Sequence, residues 1–161
     1  MKKTYLTAIS AVALAAMFVL TVAQTPASGQ NSEGRRIEGT WRLEATIRDC
    51  QTGAAIETIP ALHTYLTGGS MLSDTAVPPA VLRTGHGVWK HAGGLSFTNT
   101  IMVFRFNPVN GAYAGTTTIS RSIELDEKSD ELTSTDVAVG ADPSGNVIGT
   151  RCATTVGRRL E

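Results

Sequence analysis

The chain has 161 residues, of which 42% are hydrophobic, and its 14 basic and 14 acidic side chains give a formal net charge of +0 at pH 7. A chain of this length forms one domain that buries a sizeable core without needing a metal. Its balanced charge lacks the basic excess that binding to nucleic acid or to an anionic membrane requires, which argues against both as partners.

The N-terminus has the pattern of an export signal. Lys2 and Lys3 give it a positive start, and residues 7–23 form an uncharged run rich in apolar side chains. This pattern is typical of a signal peptide, and the predicted signal covers residues 1–29. An uncleaved membrane anchor is the alternative, although the apolar run is short for a membrane span.

Cleavage by the small-residue rule fits two points, after Ala23 and after Gly29, and the second is preferred. We expect the mature protein to be soluble, in the periplasm or outside the cell. It then consists of a flexible polar segment at 30–36 and one domain at 37–161.

The first predicted strand, residues 37–50, has the clearest pattern in the chain. Apolar or small residues at odd positions alternate with polar residues at even positions, so that Trp41, Leu43 and Ala45 share one face. A period of two predicts a strand with one face in the core and one face in water, as in an antiparallel sheet.

Seven further strands are predicted, because short runs rich in Thr, Val, Ile and aromatic residues alternate with turn signals. Residues 77–82 are the one connection that offers a short turn of helix or a lid. Eight antiparallel strands in sequence predict an all-β fold, a single up-and-down β-barrel, with a two-sheet β-sandwich as the alternative. The further strands are predicted at 60–67, 70–76, 85–91, 95–107, 112–125, 131–141 and 147–158.

The Asn110-Gly111 pair predicts a two-residue type I′ hairpin turn, and such a turn sets the register of its two strands. Counting outward from it pairs Phe104 with Thr117 and Met102 with Ile119. In this register the inner face carries Met102, Phe104, Phe106, Tyr113 and Thr117. A slip of one residue, which stays open, turns Ile101, Val103 and Arg105 inward instead.

Arg121 lies on the apolar side of its strand, between Ile119 and Ile123. A buried guanidinium needs a partner, because an unpaired charge in the interior is very costly. Asp136 and Asp49 are the acidic candidates for a structural ion pair. The alternative is that Arg121 receives the carboxylate or another anionic group of a ligand, which its planar fork suits.

Cys50 and Cys152 are the two cysteines of the chain. In an oxidising compartment they are expected to form a disulfide, which in the chain-entropy model contributes up to roughly 4–5 kcal/mol for a loop of about a hundred residues. The bond would make the first and last strands neighbours, and this closes the barrel.

The Gly39-Thr40-Trp41 sequence at the start of the first strand resembles the Gly-x-Trp opening of lipocalins and related calycin barrels. The resemblance implies a lipocalin-like barrel in which a late arginine packs across Trp41 and closes one end. Arg158 is the best-placed match, with Arg151 and Arg159 as competitors. The chain also resembles small exported bacterial proteins, which implies no particular activity.

No metal site or cofactor is predicted, because His63, His86 and His91 are not spaced to converge on one ion. No motif for a serine or cysteine nucleophile is present either, and His63 or His91 with Asp74 is the remaining acid–base pair to consider.

The leading hypothesis is therefore an exported barrel that binds a small, mostly apolar or amphipathic molecule in its cavity. One alternative is a cofactor-free enzyme similar to allene oxide cyclase, and another is a filled barrel that acts through its surface in the cell envelope. The candidate ligand-binding residues are Arg121, Tyr113, Phe104, Met102, Thr117 and Trp41, and the candidate structural residues are Gly39, Trp41 and Arg158.

Overall fold

The computed structural model describes residues 34–161, and every regular element in them is a β-strand. The predicted signal peptide, residues 1–29, lies outside the described residues. Within the described part, no helix is long and apolar enough to span a membrane. The strands are β1 (Gly39–Arg48), β2 (Ala55–Tyr65), β3 (Ser70–Thr75), β4 (Gly85–Gly93), β5 (Ser96–Phe106), β6 (Tyr113–Leu125), β7 (Glu131–Ala141) and β8 (Val147–Arg159).

All eight predicted strands are confirmed. Each pairs antiparallel with the next strand in the chain, and β8 pairs with β1, so the sheet is a closed up-and-down barrel rather than a two-sheet sandwich. The largest difference in bounds is at β2, which begins at Ala55 instead of residue 60. Closure gives every strand a neighbour on both sides, which protects the strand edges from pairing with another chain.

The barrel has two distinct ends. Strands β1, β3, β5 and β7 run toward the end that carries the loops 49–54, 76–84, 107–112 and 142–146, which we call the disulfide end. The opposite end carries the loops 66–69, 94–95 and 126–130 and the segment 34–38, and we call it the closed end. The Cys50–Cys152 disulfide is confirmed and joins the end of β1 to β8.

The closed end is sealed around Trp41, which is fully buried. Its indole Nε1 donates a hydrogen bond to the carbonyl oxygen of Ile37 at 2.8 Å. The guanidinium of Arg159 lies 4.4 Å from the centre of the Trp41 ring, a cation–π distance. Arg159 also donates to the carbonyl oxygens of Ser129, Glu38 and Arg36, so one side chain connects β8, the 126–130 loop and the N-terminal segment.

The assignment of Arg158 to the position over Trp41 is wrong, and Arg159, one of the two competitors, occupies it. Gly157 and Arg159 share the inward-facing side of β8, whereas Arg158 lies on the outer wall. There it forms an exposed ion pair with Glu131 at 2.8 Å. Exposed pairs of this kind contribute little to stability.

The predicted register of β5 and β6 is also wrong, and the one-residue slip is what the barrel adopts. Phe104 pairs with Thr116 rather than Thr117, and Met102 pairs with Thr118. Ile101 and Val103 therefore face inward and are buried, whereas Met102 and Phe104 lie on the outer wall and are about half exposed.

The loop between these strands explains the difference. It extends from Asn107 to Ala112, whose backbone groups form a hydrogen bond, and the Asn107 and Asn110 side chains accept hydrogen bonds from backbone N–H groups inside it. A bulge before Gly115 shifts the pairing by one residue. The apolar residues Ile101 and Val103 then reach the core, and burying each is worth about 1.5–3 kcal/mol.

Candidate functional site

The interior is filled toward the closed end and accessible from the disulfide end. Ile119, Ala138 and Ala153 lie in the middle of their strands on the inward-facing side, yet they are only half-buried. Ile101 and Ile123, which also face inward, are almost completely buried. Solvent therefore reaches the inner surfaces of β6, β7 and β8. We call this accessible region the inner cup, and its residues are Ile47, Thr117, Ile119, Ala138 and Ala153.

A buried ion pair lies next to the inner cup, between register partners on β6 and β7. Arg121 Nε is 3.4 Å from Asp136 Oδ2, and both side chains are less than a tenth exposed. Asp136 also accepts hydrogen bonds from Ser134 Oγ at 2.6 Å and Thr155 Oγ1 at 2.7 Å. The structural pairing predicted for Arg121 is thus present, and Asp136 rather than Asp49 is its partner.

A second polar group extends from β2. The His63 Nε2 atom is 3.0 Å from Ser73 Oγ, and its Nδ1 atom is 3.4 Å from Arg121 Nη1 and 3.5 Å from the Tyr65 hydroxyl. Asn99 Nδ2 donates to the Tyr65 hydroxyl at 3.1 Å. All five side chains are buried, so they form a continuous polar network inside the barrel wall.

This environment keeps His63 and Tyr65 neutral at physiological pH. Burial, and then the positive charge of Arg121, hold the pKa of His63 well below its usual value. Burial raises the pKa of Tyr65 to about 12. Both groups therefore act as neutral hydrogen-bonding partners rather than as charges.

The His63–Ser73 contact lacks the features of a nucleophilic pair. A histidine that activates a serine is oriented by a group that stabilises the imidazolium, usually a carboxylate. Here a guanidinium faces the other ring nitrogen and opposes protonation. Asp74, the acid considered with His63, lies on the outer wall and accepts a hydrogen bond from Thr84. The described residues thus offer no assembled base for acyl transfer.

Two buried polar atoms of this network have no hydrogen-bond partner among the described residues. They are Asn99 Oδ1 and Arg121 Nε. The Arg121 Nε atom lies 3.4 Å from Asp136 Oδ2, which is an ion-pair distance without hydrogen-bond geometry. Asn99 and Arg121 are register partners on neighbouring strands and both face inward. A buried unpaired polar atom costs about 1–3 kcal/mol, so each calls for a partner such as a water or a ligand.

The predicted ligand-binding residues separate into three groups. Arg121 and Thr117 face inward, near or in the inner cup, while Trp41 is sealed under Arg159 at the closed end. Tyr113, Phe104 and Met102 were expected to face inward, and this is wrong, because all three are on the outer wall and about half exposed. The Phe104 and Tyr113 rings contact each other edge to face with their centres 6.1 Å apart.

Sequence reasoning did not single out Asn99, Tyr65 or Ser73. All three alternate with outward-facing residues on strands whose apolar, inward-facing residues were identified. Counting every second residue along those strands would have placed them inside the barrel. Arg105 was named only in the slipped register, and it does face inward at the disulfide end.

Two grooves lie along the barrel. One, of about 570 Å³, runs over β5 to β8 beside the disulfide, and its lining combines hydroxyl side chains such as Thr98 and Thr154 with Asn99, Arg121 and Asp136 of the polar network. The other, of about 470 Å³, lies over β1, β7 and β8 between charged residues such as Arg42 and Glu131. Among residues 34–161, no three His, Cys, Asp or Glu side chains are grouped to hold a metal ion.

Comparisons of the chain with protein-family models, with curated proteins and with solved structures found no match. The barrel's own residues therefore supply the grounds for assigning a function.

Proposed function

We propose that this protein is an exported, disulfide-closed barrel that binds a small, largely apolar molecule in the inner cup. The observation that carries the proposal is the partial exposure of Ile119 and Ala138, which lie mid-strand on the inward-facing side. Ile119 packs against the core yet stays partly exposed, whereas in a filled barrel such residues are packed on all sides and exclude water. Apolar walls with a few polar groups are the usual lining of a small-molecule site.

The polar network supports the same proposal. Asn99 Oδ1 is an acceptor and Arg121 Nε is a donor, and both lack hydrogen-bond partners among the described residues. A water molecule at the base of the inner cup satisfies such atoms, and the apolar part of a ligand then covers the exposed cup wall. Arg121 itself is already charge-compensated by Asp136, so it contributes a hydrogen bond rather than a net charge.

We also propose that the protein is secreted through a signal peptide and belongs among lipocalin-like barrels. A disulfide between Cys50 and Cys152 is typical of an oxidising compartment. The cation–π contact of Arg159 with Trp41, behind the Gly39-Thr40-Trp41 sequence, agrees with the arrangement that the lipocalin resemblance implies.

A substitution that fills the cup tests the binding proposal. Ala138→Phe adds a phenyl group to the inner cup, and Val139→Phe adds the same group on the outward-facing side of the same strand. We expect the neutral fluorescent probe N-phenyl-1-naphthylamine to bind the unsubstituted protein and Val139→Phe similarly. Its affinity for Ala138→Phe should be at least about tenfold lower, because the probe and the new ring compete for one volume.

The opposite outcome favours a different role. If no variant binds the probe, and native mass spectrometry of protein purified from its own source shows no retained small molecule, the inner cup is not a binding site. The aromatic patch of Phe104 and Tyr113 with Met102 on the outer wall then supports the second candidate, a barrel that acts through surface interactions.

A further inference from the structure

Arg105 is an inward-facing cation at the disulfide end. It pairs in register with Gly115 on β6, and its side chain extends as far as β7. Its Nη1 atom lies 3.6 Å from the point where a Cβ of Gly140 would be, on the inner side of β7. The absence of a side chain at Gly140 leaves room for this guanidinium against the barrel's inner wall.

Arg105 has no polar partner among residues 34–161. Its Nη1 atom is buried without a hydrogen bond, and the ion pairs in this part of the chain join Arg121 to Asp136 and Arg158 to Glu131. A half-buried guanidinium with five N–H donors and no carboxylate is an incomplete arrangement. Its planar fork matches the two oxygens of a carboxylate.

The position of Arg105 relative to the inner cup defines the ligand further. Gly140 and Ala138 are successive inward positions on β7, roughly 7 Å apart along the strand. Ala138 pairs with Ile119. The apolar wall of the inner cup therefore begins at the next inward-facing residue from Gly140 toward the closed end. Arg151 also faces inward at this end and is exposed, which adds positive charge near the entrance.

We propose that Arg105 binds the carboxylate of an amphipathic acid whose apolar chain lies in the inner cup against Ile119 and Ala138. This inference rests on the proposed binding function and adds the chemical class of the ligand, a small apolar chain with one carboxylate end. The carboxylate supplies the acceptors that the Arg105 donors lack.

A matched pair of probes tests this assignment: dansyl-labelled undecanoic acid and its methyl ester, which differ in charge but hardly in apolar area. We expect the acid to bind at least about tenfold more tightly than the ester, as for one charge-assisted interaction. Arg105→Gln should remove that preference and leave ester binding unchanged, and Arg105→Lys should retain part of it. Arg42→Gln, which removes an exposed guanidinium from the outer wall of β1, is the control and should keep the preference.

The outcomes separate the two proposals. If neither probe binds, the inner cup is not a site, and both proposals fail together. If acid and ester bind equally, or if Arg105→Gln keeps the preference for the acid, the Arg105 assignment is overturned and binding in the cup stands. If near-ultraviolet circular dichroism shows that Arg105→Gln does not fold, Gly140→Leu replaces it. The new side chain on β7 occupies the space next to the Arg105 guanidinium, and it should give the same loss of preference.

Discussion

His63 lies inside the barrel without solvent contact, between Ser73 and Arg121. Its pKa in the folded protein is lowered well below the usual value by burial and then by the Arg121 charge. In the unfolded chain a histidine has a pKa near 6.5. Below that pH the unfolded state binds a proton that the folded state does not, so the free energy of unfolding decreases as the pH falls.

We expect the free energy of unfolding to decrease by up to about 1.4 kcal/mol for each pH unit below about 6.5, until the folded-state pKa is reached. His63→Gln removes the titrating group and should flatten this dependence, whatever its effect on stability at neutral pH. His86→Gln, at an exposed outward position, is the control for replacing a histidine elsewhere on the barrel. Urea unfolding between pH 5 and pH 8 measures all three, and an equal slope in His63→Gln would disprove the assignment.

The aspartates of the turns titrate in a different pH window. Asp49, Asp126 and Asp142 accept hydrogen bonds within their own turns, and these lower the pKa of each carboxyl. A lowered folded-state pKa gives stability that is complete above about pH 4 and is lost at lower pH. The effect of His63 is therefore measured above this window.

The β5–β6 hairpin illustrates at the level of strands how a local signal is overridden. Asn110-Gly111 favours a two-residue turn, but the longer loop lets Ile101 and Val103 enter the core. The bulge that accompanies it requires Gly115, whose φ is +104° and whose missing Cβ would meet the carbonyl of Ala141. A left-handed φ is strained for residues other than glycine.

Substituting this glycine tests the bulge. We expect Gly115→Ala to lower the free energy of unfolding by clearly more than the roughly 1–2 kcal/mol that a positive φ costs alone, because the new methyl group clashes with backbone. Gly111→Ala is the control, since its φ is +68° and nothing lies within 4 Å of an added Cβ. Urea unfolding compares the two variants, and an equal or smaller loss at Gly115 would contradict the role given to the bulge.

For the molecule as a whole, the Cys50–Cys152 bond joins positions 102 residues apart. It lies beside a ladder in which β1 and β8 pair from Trp41 to Arg48. The ladder's backbone hydrogen bonds and the core keep the barrel closed, and the disulfide mainly restricts the unfolded chain.

We therefore expect a Cys50→Ser/Cys152→Ser double variant to keep the barrel but lose up to roughly 4–5 kcal/mol of unfolding free energy. Near-ultraviolet circular dichroism of Trp41 and Trp89 reports the packed core, and urea unfolding reports the stability. Loss of the near-ultraviolet signal in the absence of denaturant would mean that the bond is needed to close the barrel.

Strand positions and the inward face of β1 follow from local patterns, because a period of two and turn residues act within a few positions. The disulfide follows from the presence of two cysteines in a chain with an export signal. The choice among the possible partners of a polar residue, such as Asp136 or Asp49 for Arg121, does not follow from such patterns. That Arg121 meets Asp136 and His63, and that Arg105 lies over Gly140, depends on register and barrel closure across several strands. A one-residue shift reverses which side chains face the core, and core packing of the whole barrel selects the register. The inner cup and its polar atoms therefore depend on the closure of the barrel, whereas the strands that form the cup can be predicted from the sequence.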